Sequence, residues 1–504
     1  MKPYVNIYCW FVWVATTVAT ANALHADDYH AIENLIGARA DGLGGAFSAV
    51  ADDSTAFYYN PAGATLIRRG ELSATVQGFQ KDRKVYGGAF GPGNDLVRRS
   101  DEIAPNFIGL GHRLDSGMVV GLSTVYTRAR NYNRHSEYFL PLDFTAFDAR
   151  NFKSLVYRTN IRESNSQTLV GPGLAVSLLG GRLRIGATLY AAQDTQHALF
   201  DGTEFSTYRS PLSVSLQQEQ YTLSALPVFG VLYVPRAAGA RFGLAVRKYF
   251  PVQSHRGMHF TKTGGIEENR PVGAFQIANI SDEPGLFIST GDNLLARVPA
   301  FPGTVPEPLE LRGGFALYRR TGLLLSYDFI YTSPNRANKP MAIVDEQGTQ
   351  ILYTDLSLFL NLEREQTMNH AFGIEIPVTE NVEIRFGFYT NFANSRKLSY
   401  LEALLGRLYS NPYVPSLTQL PSAAFLPQVS LFFQPPAIRN EHVNNYGYTT
   451  GLTYILGADR SFTCALRYEQ GFGLGFESGF ASVLPQNIRH EIYSIQISYT
   501  VAAE

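Results

Sequence analysis

Apolar and polar positions alternate strictly along several long stretches of this chain. In Val382 to Phe392, the residues Val382, Ile384, Phe386, Phe388 and Phe392 fall on one face, interrupted only by Thr390. Glu383, Arg385, Gly387, Tyr389 and Asn391 fall on the other. The last strand sets Tyr493, Ile495, Ile497, Tyr499 and Val501 against Ser494, Gln496, Ser498 and Thr500. Tyr446, Tyr448, Leu452, Tyr454 and Leu456 likewise oppose Gly447, Thr449, Gly451 and Thr453. Period two is the repeat of a β-strand. The stretches exceed the five or six residues usual in soluble sheets. They predict strands with one face in lipid and the other in a wet lumen.

The connections predict how these strands are joined. Short turns occur at Asp115-Ser116-Gly117, Gly180-Gly181-Arg182, Arg236 to Gly239, Arg320-Thr321-Gly322, Thr379-Glu380-Asn381 and Gly457-Ala458-Asp459. Most have the Gly, Asp and Asn chemistry of tight hairpins. They alternate with long connections, from about Gln80 to Ile103, Asn131 to Ser164, Thr195 to Gln217, Pro251 to Glu307, Ser333 to Glu365, Asn394 to His442 and Gly471 to Gln486. Short turns on one side and long loops on the other characterise outer-membrane barrels. The expected fold is all-β, a transmembrane antiparallel barrel of about 14 strands, both termini periplasmic. Lys84 to Phe90 is placed in the first external loop, because one more strand would make the count odd.

Composition agrees. Charged residues make up 17% of the 504, aromatics 13%, and Gly numbers 45, unlike an average soluble chain. The net charge of -1 gives no reason to expect nucleic acid. No stretch of eighteen apolar residues follows the N-terminus, which excludes spanning helices.

Residues 1–23 read as a cleaved signal peptide. Lys2 precedes an apolar run from Val5 to Val18, followed by the small residues Ala21-Asn22-Ala23, with cleavage expected after Ala23 or, alternatively, after Ala26. Cys9 leaves with this segment, so Cys464 has no disulfide partner in the mature chain. Residues 24–69 lack alternation and are expected to form a plug, ahead of a barrel over 70–504.

The plug contains Gly37 to Asp53 and continues into Asn60-Pro61-Ala62-Gly63. Its glycines match the spacing of neither phosphate-binding loop, and no Lys-Ser/Thr follows them. Gly and Ala suit a backbone folded tightly inside a lumen. The stretch GLGGAFSAVADDSTAFYYNPAG, with Gly42, Gly44, Gly45, Asn60, Pro61 and Ala62, resembles the hatch of the FadL/TodX family of outer-membrane transporters for hydrophobic compounds. The resemblance implies fourteen strands, an N-terminal hatch, and passive uptake of long-chain fatty acids or similar lipophiles. It also implies lateral exit through a gap beside a kinked strand, for which Gly121 and Gly186 are candidates. The chain is longer than typical relatives in its external loops, and it runs past Tyr499 to Ala502-Ala503-Glu504 rather than stopping on an aromatic residue. The hatch wording also resembles a related branch that serves protein secretion, so a docking or shuttle barrel is the alternative function.

A fatty acid needs apolar walls and an anchor for its carboxylate. Two external segments are unusually apolar. One includes Phe275, Phe287, Leu294 and Phe301; the other includes Leu398, Leu405, Tyr409 and Phe432. They are expected to pack as a lid, form a capture groove, or do both. Strand phase points Arg184, Arg247, Arg312, Arg385 and Arg467 into the lumen, with Asp328, Glu375, Glu383 and Glu469. Arg184, Arg312 and Arg385 read as rim charges. Arg247, with Tyr249 on the same face, is the preferred anchor. The expected ligand set is therefore Arg247, Tyr249, Phe287, Leu294, Leu405 and Phe432.

Neither G-x-S-x-G nor H-E-x-x-H occurs and the ten His are scattered, so no enzyme, metal or cofactor is expected. Expected partners are hydrophobic small molecules such as fatty acids, outer-membrane lipid and the outer-membrane assembly machinery. Barrel closure removes free edges and permits a monomer.

Overall fold

The computed structural model describes residues 30, 32, 34–67, 69–89, 93, 95–141, 154–206, 212–235, 239–263, 266–267, 270–271, 275–278, 286–290, 293–298, 308–334, 340–344, 350–355, 364–395, 440–457, 459–476 and 486–503. The expected signal peptide lies outside them, as do Leu405 and Phe432.

The chain forms a closed antiparallel barrel of 14 strands. They are β1 (Gly70–Tyr86), β2 (Leu96–Arg113), β3 (Val119–Pro141), β4 (Ser154–Leu178), β5 (Leu183–Ser206), β6 (Leu212–Tyr233), β7 (Ala240–Lys248, continued by Phe250–Thr263) and β8 (Leu309–Tyr318). Then follow β9 (Leu324–Thr332), β10 (Thr367–Thr379), β11 (Val382–Asn391), β12 (Asn440–Ile455), β13 (Arg460–Phe476) and β14 (Gln486–Ala503). Pairing of β1 with β14, from Gly70↔Ala503 to Tyr86↔Ile488, closes the ring. The short turns lie between the expected strand pairs, with Arg236 to Ala238 and Ala458 outside the described residues. At two of them Gly322 (φ 85) and Gly457 (φ 86) adopt the left-handed backbone that a side chain would oppose.

Several expected loops are strand instead. Lys84 to Tyr86 belong to β1, where Lys84 pairs with Arg98 of β2. They are neither loop nor extra strand: Lys84 and Tyr86 turn inward, where Lys84 Nζ meets Glu441 Oε2 at 2.7 Å and Tyr86 donates to Glu441 Oε1. Charged residues on the inner face had masked the alternation. Most of 131–164 and 195–217 is strand too, because β3 to β6 extend as long paired hairpins beyond the shorter strands of the opposite wall.

The outer face carries Leu72, Val76, Leu110, Leu122, Leu174, Leu189, Phe229, Leu244, Phe386 and Leu466, each 40% exposed or more. Among the described residues no helix is long and apolar enough to cross a membrane. Across this face Tyr233, Phe242, Phe315, Tyr327, Phe372, Phe388, Tyr448, Tyr468 and Tyr493 are successive register partners on neighbouring strands. Ring centroids lie 5.3 Å apart for Phe242–Phe315, 4.8 Å for Tyr327–Phe372 and 4.9 Å for Tyr468–Tyr493. Because barrel strands tilt, the row climbs obliquely from the short-turn end at Tyr233. Cross-strand aromatic pairs of this kind contribute roughly 0.2–1 kcal/mol each.

Candidate functional site

The N-terminal segment fills the lumen near the short-turn end. It contains two short helices, α1 (Ala38–Gly42) and α2 (Ala56–Tyr59), and a 3-10 turn over Pro61–Leu66. So irregular a backbone needs hydrogen-bond partners wherever water is excluded. The barrel wall supplies them. Asn106 accepts from Gly37 N at 2.7 Å and donates to Leu35 O at 3.1 Å. Asp328 Oδ2 accepts from Phe47 N and Ser48 N at 3.1 and 2.9 Å. Gln496 donates to Leu35 O at 2.8 Å, and Thr449 to Gly42 O at 3.2 Å. Asn391 holds Ile32 through both its backbone N–H and its carbonyl.

Glycines on the wall make this approach close. Gly42 faces Gly451, where an added Cβ would stand 3.1 Å from the opposing Cα. A Cβ on Gly44 would stand 2.8 Å from Phe388 N, and Gly44 also has a φ of 65°. Gly387 has no room for a Cβ against Gly44 N and Leu43 C. On the opposite wall Gly186 and Gly230 receive Pro61, and Gly121 and Gly173 receive the Phe57 ring. Gly121 and Gly186 are therefore seats for the plug, and pairing runs through both without a register shift. The register shifts of this region fall instead at Thr75/Val76, Gln77/Gln80 and Tyr126/Arg128.

Asn60 is fully buried. Its Nδ2 donates to Ser48 O at 2.7 Å and Val231 O at 3.1 Å, and its Oδ1 accepts from Ala62 N at 3.2 Å. One side chain thus ties two plug segments to β6 and caps the turn begun by Pro61.

Ion pairs add to the seating. Arg385 has no exposed surface and pairs with Glu375 at 2.6 Å and with Glu383. Glu375 also holds Arg39 of α1 at 3.0 Å. Arg312 is 5% exposed, pairs with Glu310, and lies over the Tyr59 ring at 5.5 Å. Arg385 and Arg312 are therefore not rim charges; the plug covers them. Arg184 is half-buried and donates to Thr65 of the plug at 3.1 Å.

Asp41 of α1 is fully buried, and neither of its oxygens has a hydrogen-bond partner among the described residues. Burial pushes its carboxyl up to about 7; the nearby Arg467 opposes this, and Glu469 adds to it. The acid is ordinarily near 3.8, so the folded state holds a proton that the unfolded chain releases. Plug stability should therefore fall as pH rises from about 4 to about 7 and then level off. Asp41→Asn should flatten that dependence and raise stability above pH 7. The midpoint of heat-induced unfolding, followed from pH 4 to 8, checks this; parallel curves for the two proteins would refute it.

Beyond the plug the lumen has two unlike walls. Over β12 to β14 and β1 it is polar: His490 Nε2 meets Asp82 Oδ1 at 2.9 Å, Asn445 donates to Glu469 at 2.6 Å, and Arg467 donates to Gln80 at 2.9 Å. Over β2 to β6 it is apolar: Phe107, Val125, Leu169, Tyr190, Leu226 and Val228 are buried in one cluster with Phe57 and Tyr58 of the plug. Arg247 borders this cluster, 8% exposed, with Glu310 at 2.6 Å and the Tyr58 ring at 4.4 Å. Tyr249 packs against the cluster and donates to Gln167 at 3.2 Å. The structure therefore brings Arg247 and Tyr249 together. Phe287 and Leu294 lie in the short strands Leu286–Thr290 and Asn293–Val298 of the long connection between β7 and β8.

The apolar wall adjoins a break in the sheet. β2 and β3 pair only over Phe107–Arg113 and Val119–Val125. Past that point β2 pairs with β1 and β3 with β4, and among the described residues no pairing joins β2 to β3. The break follows the bulge at Asn106, after Pro105, a residue with no N–H to donate. No pattern in the sequence marks Glu310, whereas Pro105 within a strand is a signal for the bulge at Asn106.

No family model and no curated protein matches the chain. Solved structures do. A Pseudomonas aeruginosa FadL homologue aligns at 11% identity over 94% of this chain and 100% of its own, with a TM-score of 0.54. A mutant of the TodX monoaromatic hydrocarbon channel aligns at 12% identity over 94% and 100%, with a TM-score of 0.55. At such identity the likeness is one of fold. This chain has the barrel fold of the FadL and TodX structures.

Proposed function

We propose that the protein is an outer-membrane channel for passive uptake of hydrophobic small molecules, with long-chain fatty acids or similar lipophiles as substrates. The carrying observation is the apolar wall of Phe107, Val125, Leu169, Tyr190, Leu226 and Val228, which packs on Phe57 and Tyr58 of the plug and reaches, at Phe107 and Val125, the point where β2 and β3 stop pairing. Apolar side chains gathered on one lumen wall shelter a greasy molecule from water. The plug closes the straight route, so a ligand moves along this wall and leaves sideways between β2 and β3. The named relatives, a FadL homologue and a monoaromatic hydrocarbon channel, support this class of substrate. They do not favour the docking or shuttle alternative.

In this reading Arg247 anchors a carboxylate at the end of the apolar wall, competing with Glu310, and Tyr249 offers a hydroxyl beside it. Phe287, Leu294, Leu405 and Phe432 belong to the external segments that gather the ligand. Arg247→Ala should weaken binding of a long-chain fatty acid about tenfold or more, the worth of a charge-assisted hydrogen bond. Titration of purified, heat-modifiable barrel measures this, and unchanged affinity would remove Arg247 from the site. Native mass spectrometry after gentle lipid extraction tests the function itself. A retained fatty acid or hydrocarbon supports it, and a retained protein in its place would favour docking.

A further inference from the structure

The outer face carries a cluster of cations above the apolar band. On β1, Asp82, Lys84 and Tyr86 are buried in the lumen, so Lys81 and Arg83 project outward. Arg99 of β2 is exposed on the same side, and Arg489 of β14 has a side chain 58% exposed. Arg83 stands directly across from Arg99 in the β1–β2 register. Like charges so placed repel. Glu491 is the acid among them, and it serves both Arg83 at 3.1 Å and Arg489 at 2.6 Å. Asp101 lies across from Lys81 in the same register. Among the described residues Lys81 and Arg99 are thus without a bonded partner, and the cations of this patch outnumber its carboxylates.

The height of the cluster identifies its ligand. With a rise of about 3.3 Å per residue and a tilt of about 40°, the stretch Glu491–Ala503 climbs about 30 Å from the short-turn end. That is just above an apolar band about 25 Å tall. Immediately below, Tyr493, Ile495, Ile497 and Tyr499 are 38% to 46% exposed toward lipid. Tyr493 ends the oblique aromatic row and is itself the register partner of Lys81. Acyl chains lying on this surface would bring their headgroups level with the cations.

We propose that Lys81, Arg83, Arg99 and Arg489 form a binding site for a phosphorylated lipid headgroup in the leaflet at the long-loop end of the barrel. The orientation rests on the outer-membrane reading above; in that membrane the lipid is the phosphorylated glycolipid of the outer leaflet. A phosphate between Arg83 and Arg99 would relieve their repulsion and accept from both guanidinium groups. The site faces lipid, not the lumen, and so is separate from the proposed ligand path.

The test compares the wild-type barrel with a Lys81→Gln/Arg99→Gln variant in nanodiscs of phosphatidylethanolamine with or without lipid A. Lipid A retention is read by native mass spectrometry. The double variant should hold lipid A about 30-fold less tightly, each basic residue at a charged membrane surface contributing about fivefold. Inorganic phosphate alone should not compete at millimolar concentration, since the acyl chains share in binding. Equal retention by both proteins, or equal displacement by free phosphate, overturns the proposal. The single variant Lys81→Gln, expected to lose about fivefold, serves if the double variant lacks the heat-modifiable band. Fatty-acid affinity measured on the same samples separates this site from the channel: it should not change with Lys81 or Arg99.

Discussion

Replacing Gly387 with valine should unseat the plug and open the barrel. Valine suits a strand, so β11 itself tolerates the change. Its side chain, however, would occupy the space of Gly44 N and Leu43 C, which are backbone atoms and cannot rotate away. Overpacking a filled interior costs roughly 1–3 kcal/mol where side chains can shift. Against backbone the cost is at the upper end or beyond it. Each 1.4 kcal/mol changes the seated-to-unseated ratio about tenfold, so the plug should lose its place by one to two orders of magnitude (~10–100-fold). Planar-bilayer recordings should show sustained porin-like currents, and cells should become sensitive to large antibiotics. Gly313 supplies the control, because a Cβ there meets nothing within 4 Å. If Gly387→Val and Gly313→Ala conduct alike, close packing against Gly387 does not hold the plug.

Asn60→Asp should loosen the same plug by a different route. The amide donates to two carbonyl oxygens, Ser48 O and Val231 O, inside a fully buried site. A carboxylate would turn both contacts from attraction to repulsion and leave both carbonyls unsatisfied. Losing buried donors costs about 1–3 kcal/mol for each group left unpaired, so roughly 3–5 kcal/mol is expected. Hydrogen exchange over residues 37–66 should accelerate more than a hundredfold at pH 8, as about 3 kcal/mol implies. It should recover in part at pH 5, where a protonated acid can donate one of the two bonds. Unaltered protection in Asn60→Asp at pH 8 would show that this side chain does not secure the plug.

Both predictions concern residues whose type, but not whose role, was visible in the chain. Glycine at 387 reads as an ordinary polar-face position of a strand; its meaning comes from Gly44, more than three hundred residues away in sequence. Arg385 and Arg312 read as rim charges in the sequence because distance along a strand from a turn is its sole guide to depth. The plug covers that end of the lumen and buries them. Period two gives Arg247 its inward face, yet its partner Glu310 lies across a strand pairing that no local pattern reveals.

The sequence alone determined the barrel, its strand number near 14 and the alternation of short and long connections. These follow from local rules: side chains alternate along a strand, and tight turns demand particular residues. Tertiary structure alone decided where β2 parts from β3, which glycines receive the plug, and that the lumen has one polar wall and one apolar wall. Strand phase places a residue inside or outside the barrel but says nothing of its position around the ring. That position depends on register and closure, and these are set by pairings between distant parts of the chain.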